Sequence, residues 1–155
     1  MIRVIRALTR FTRDGSGQTI VEFALAVVVL LVIVLGLFDV GRAVWYSNTL
    51  ALATREGARY AIVHGSLSGS SAVATEAQVV TQVDLHATGL NPTPATTVTW
   101  CTSSPCVSPD PAANDPGDYV TVTSTLVYTP IASRVFIGGA LNVTLRGSAT
   151  MVMRN

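Results

Sequence analysis

Lysine is absent from this chain of 155 residues, and charge of either sign is scarce. Charged residues make up 12% of it, against about 25% in an average globular protein. A net charge of +1 gives no bulk field to attract a polyanion, so no nucleic-acid partner is expected. There are two cysteines, Cys101 and Cys106, and two histidines, His64 and His86, and these four lack the ligand spacing of a zinc site. A Gly-rich phosphate loop, a His-Glu-x-x-His motif and a Gly-x-Ser-x-Gly elbow are also missing. No acid/base pair stands out by spacing. The expectation is a chain with no catalytic residue, no cofactor and no metal.

What charge there is lies unevenly. Residues 1–17 hold Arg3, Arg6, Arg10 and Arg13 against Asp14 alone, whereas residues 18–155 hold six arginines against eight acids. Between the two lies an apolar run, Ile20 to Phe38, nineteen residues with a single charge, Glu22. At ~1.5 Å per residue a helix of that length spans about 28 Å, close to the ~30 Å of a bilayer core. A cleaved secretory signal would have a shorter run, about 7–15 residues, and a small-residue cleavage site, which Phe38-Asp39-Val40-Gly41-Arg42 does not offer. A buried soluble helix is disfavoured by the flanking arginines. The reading is a single span with the basic end in the cytoplasm and the remainder outside.

Three parts follow: residues 1–17 as a basic leader, 18–38 as the transmembrane helix and 39–155 as an extracytoplasmic α+β domain, helical over 39–88 and strand-forming over 96–154. No proline falls between Gln18 and His64, which predicts one continuous helix over those residues. Its outer half carries a small-residue stripe at Val40, Val44, Ser47, Ala51, Thr54, Ala58 and Ala61. A second helix is expected over about Ser71–Thr88, with its apolar stripe at Val73, Ala77, Val80, Val83 and Ala87. Alternation then predicts three strands, around Val98–Trp100, Val120–Tyr128 and Leu141–Met153. Three strands alone are marginally stable, so the two helices must cover one face of a small antiparallel sheet.

The stretch from Thr102 to Gly117 contains Pro105, Pro109, Pro111 and Pro116 and reads as a surface loop. In and just after it, Asp110, Asn114, Asp115 and Asp118 invite a calcium reading but match no EF-hand, and Pro116-Gly117 fits the centre of a type II turn. Cys101 and Cys106 are exported on this reading, so a disulfide closing a small loop is the default. Asp39 and Arg42, at the outer membrane edge, read as a local ion pair or as solvated charges.

Glu22 demands a reason, because a carboxylate entering a membrane helix is costly. It is the fifth residue after Gly17. Gly17-Gln18-Thr19-Ile20-Val21-Glu22-Phe23 resembles a type IV prepilin-like signal, in which a peptidase cuts after the glycine and leaves glutamate at mature position five. Together with Asp39-Val40-Gly41-Arg42 and Ala53-Thr54-Arg55-Glu56-Gly57-Ala58-Arg59-Tyr60-Ala61, these residues resemble the TadE-like family. The likeness is strongest over residues 15–65, with a weaker echo in Leu145–Arg154. It implies a minor pilin or pseudopilin of tight-adherence (Flp) pili. A prepilin peptidase would cleave between Gly17 and Gln18, and Glu22 beside Phe23 would serve assembly. The implied partners are that peptidase, other pilins, the membrane assembly machinery and the lipid bilayer. The alternative is an uncleaved, membrane-anchored binding or adhesion module that keeps residues 1–17.

Overall fold

A computed structural model describes residues 16–68, 73–106 and 108–154. The leader expected over 1–17 therefore lies outside the described residues except at its last two positions, as does the expected helix start at Ser71. The element order is α1 (Ser16–Val63), α2 (Glu76–His86), β1 (Ala95–Cys101), β2 (Tyr119–Tyr128), α3 (Ile131–Ile137) and β3 (Val143–Val152). The strands form one antiparallel sheet in the order β1-β2-β3, so the fold is α+β with a three-stranded meander.

At ~1.5 Å per residue, the 48 residues of α1 make a rod about 72 Å long. Among the described residues, none buries the apolar stretch of its first half, which is long enough to cross a membrane. Its second half lies across the sheet, against β3 and β2, and against α2. The buried face runs through Asp39, Tyr46, Leu50, Ala53, Thr54, Gly57, Ala58 and Ala61. Up to Ala53 this corrects the expected stripe by one frame: Val40 and Val44 are more than half exposed, and Ser47 faces out. The small-residue pattern missed that the larger Tyr46 and Leu50, one position earlier, bury more apolar area on the same face.

Two glycines set how closely the layers approach. A Cβ on Gly57 would meet Val83 Cγ2 at 2.5 Å, so α1 and α2 are in backbone-close contact there. A Cβ on Gly147 of β3 would lie 3.0 Å from the Leu50 carbonyl oxygen. Helix α2 begins with a capping box. Thr75 accepts from the Gln78 N–H while Gln78 accepts from the Thr75 N–H. That cap fixes the start at Glu76; of the expected stripe, Val83 and Ala87 are buried and Val80 is partly buried, whereas Ala77 is exposed and Val79 is buried in addition.

The sheet alternates as its sequence requires. Val120, Val122, Ser124, Leu126 and Tyr128 of β2 face the helices. The outer face is a threonine and serine surface, with Thr121 bonded to Thr150 at 2.9 Å and Thr123 to Ser148 at 3.2 Å. Register fixes which end is which. Tyr128 pairs with Val143 beside Asp39, at the end of the apolar run, whereas Tyr119 pairs with Cys101 and Val152 at the far end. There Ser66, just past α1, bonds Asn114 and Asp115 of the proline-rich loop.

Candidate functional site

The residues singled out at the junction fall in the first two turns of α1. Gly17 and Gln18 lie in its opening turn, where the leading N–H groups have no intrahelical acceptor and the helix frays most readily. Among the described residues a Cβ on Gly17 would meet nothing within 4 Å, and Gly17 does not take a positive φ, so neither feature there requires glycine. One turn on, the Gln18 side-chain amide donates to Glu22 Oε1 at 3.1 Å. Phe23 is 70% exposed, as are most residues from Ile20 to Phe38 to a comparable degree. This helix half has an apolar surface that the described residues leave uncovered. Lipid or other apolar helices must supply it.

A second cluster sits where that half ends. Asp39 is buried, and its carboxylate is fully used. The backbone N–H groups of Ile131 and Ala132 each donate to it at 2.7 Å, and the Tyr128 hydroxyl donates at 3.1 Å. Pro130, the N-cap of α3, has no side-chain acceptor, so Asp39 caps that helix from 92 positions away. The sequence reading of Asp39 and Arg42 as an ion pair or solvated charges is corrected here. Arg42 instead donates to the Tyr46 hydroxyl at 3.3 Å, and its guanidinium carbon lies 5.6 Å and 5.7 Å from the Tyr46 and Tyr128 ring centroids. Those two rings meet edge to face at 5.4 Å.

Burial by itself would raise the Asp39 carboxyl. The two backbone donors, the Tyr128 hydroxyl and the Arg42 charge outweigh it and hold the carboxyl below its ordinary 3.8. The same burial, then the bond to Asp39, pushes the Tyr128 hydroxyl above its ordinary 10.0. The cluster clamps the end of the apolar run to the sheet and to α3. Sequence reasoning missed Tyr128 and Tyr46 here. The only signal was Asp39 itself, a charge directly after an apolar run.

The cysteines lie at the opposite end. Cys101 closes β1 and is joined to Cys106 with their Cα atoms 5.6 Å apart. The acids of the neighbouring loop accept local turn bonds and one bond from just past the end of α1. Asp110 accepts from the Ala112 N–H at 2.9 Å, Asp118 from the Asp115 N–H at 2.9 Å, and Asp115 from the Ser66 hydroxyl at 2.9 Å. Gly117 takes φ +101°, the left-handed position of the Pro116-Gly117 turn. Among the described residues no three His, Cys, Asp or Glu side chains converge as a metal site would require.

Comparison with known proteins adds one finding. The family described as TadE-like protein matches residues 17–59, which covers the junction, the apolar run, the Asp39–Tyr46 segment and most of the packed half of α1. The sheet and α2 lie outside the matched segment. No curated protein and no solved structure gives a significant match.

Proposed function

We propose that this chain, with its TadE-like segment at residues 17–59, is a non-enzymatic structural component of a tight-adherence pilus system, a minor pilin or pseudopilin. The observation that carries the reading is the apolar helix from Gln18 to Phe38, whose surface is left unburied by the described residues and which directly follows Gly17. A prepilin peptidase would unwind the frayed first turn and cut between Gly17 and Gln18. The chain would sit in the cytoplasmic membrane with residues 1–17 inside and the α+β domain outside, as the arginines of the leader favour.

Cleavage would place a new α-amine on Gln18. In an assembled bundle, Glu22 of one subunit would accept that amine from a neighbour, replacing the Gln18 amide it holds now. A paired carboxylate costs far less in an apolar bundle than a lone one, so the pair favours association and sets axial register. The outer domain would choose partners among other pilins and the assembly machinery. The test is Glu22→Val in the native host. The expected protein is still cut but is lost from the sheared surface fraction. Normal cleavage together with normal incorporation would remove Glu22 from the mechanism.

A further inference from the structure

We propose that α3 and the turn after it form a foot that lies in the outer membrane–water interface, with lipid as its partner. The inference rests on the reading of Ile20–Phe38 as the membrane span. Asp39 follows that run directly, and its carboxylate holds the first two N–H groups of α3 at 2.7 Å each. The helix is therefore fixed within a hydrogen bond of the level at which α1 leaves the bilayer. Ser133 secures the other end, its hydroxyl accepting from the Leu141 N–H at 3.0 Å.

What this tethered helix shows to its surroundings is apolar. Val135 is 62% exposed, Phe136 52%, Ile137 50% and Leu141 60%, with Ile131 partly exposed beside them. Contiguous exposed side chains of this size on a short connection are unfavourable in water and mark a surface that something covers. Their position chooses the occupant. They belong to a helix tethered to Asp39, the residue that follows the apolar run, and they lie at the edge of the sheet where Tyr128 pairs with Val143.

The polar groups beside them suit headgroups. Arg134 is the charge within α3, and with Arg42 it lines one recess of about 250 Å³ next to the Tyr46 and Tyr128 rings. Arginine stems along an apolar surface with guanidinium groups at phosphate level are a stable interfacial arrangement. The foot would fix the tilt and rotation of the domain on the membrane before assembly. Extraction into a filament would have to lift it out.

The test uses the full chain with Cys101 and Cys106 oxidised, reconstituted into bilayers of phosphatidylcholine and phosphatidylglycerol. Single variants Phe136→Cys, Val135→Cys, Leu31→Cys and Leu67→Cys carry a nitroxide, and its collisions with oxygen and with a water-soluble nickel chelate are measured. The labels at 135 and 136 are expected to be several-fold more accessible to oxygen than to the chelate, as at Leu31 in the span and opposite to Leu67 at the far end. Water-like values at both positions with a lipid-like Leu31 would overturn the foot and leave the span intact. Shielding of both labels from both reagents would overturn it in favour of a protein cover. A water-like Leu31 label would remove the span itself and the inference with it.

Discussion

At the scale of single residues, Asp39 is the side chain on which the attachment of the apolar helix half to the sheet and α3 turns. Asp39→Ala would leave two backbone N–H groups and the Tyr128 hydroxyl without their acceptor, and is expected to cost about 2–3 kcal/mol, since bonds to a charged group are worth roughly 1.5–3 kcal/mol. Urea unfolding of the full chain in mild detergent measures this. Asp39→Asn, which keeps one acceptor oxygen, should lose less. Because the folded carboxyl is held below its ordinary 3.8, its contribution is complete above that pH and disappears as pH falls through the lower folded value. Thermal unfolding between pH 6 and pH 2 should therefore show a fall below about pH 4 that Asp39→Asn flattens. The sequence displayed Asp39 as an anomaly but not its use, because its partners are backbone groups in another element. The roles proposed for Gly17 and Glu22 rest on the opposite kind of signal. Their signal is a local spacing, independent of the fold.

At the scale of elements, periodicity was enough to place α1, the sheet and its inward face, and too coarse to fix the helix frames. The expected stripe of α1 followed small residues, and the packed one follows Tyr46 and Leu50. In α2, the Thr75–Gln78 capping box was readable and overrides the longer apolar pattern. Helix α3 was not foreseen at all. It is 7 residues long, between Pro130 and the left-handed Gly138, and its cap comes from α1. Packing density makes a prediction at this scale. Gly147→Ala puts a methyl 3.0 Å from the Leu50 carbonyl, and Gly57→Ala puts one against Val83, so each should cost about 1–3 kcal/mol through overpacking. Gly36→Ala and Gly41→Ala, whose new methyls would meet nothing within 4 Å, should leave the stability of the isolated chain unchanged or slightly higher in the same unfolding assay.

At the scale of the whole molecule, the chain is polar in the sense of having two different ends. One end is an apolar rod that the described residues leave unburied, closed by the Asp39 clamp and the apolar surface of α3. The other is a hydrophilic cap of proline turns, carboxylates and the Cys101–Cys106 link, about 36 Å further along α1 at ~1.5 Å per residue. Such a division fits a subunit that assembles by its rod and is recognised by its domain. It was visible in the sequence as a shift from arginine-flanked apolar run to threonine-rich alternation. The coupling between the ends was not, because it depends on contacts between distant segments. Intact mass and N-terminal sequence, taken on protein from the native membrane and from the sheared surface fraction, test the account most directly. A chain beginning at Gln18 in the sheared fraction is the predicted result. A chain that keeps the residues before Gln18 and is confined to membranes would contradict it and reduce Glu22 to an interfacial carboxylate.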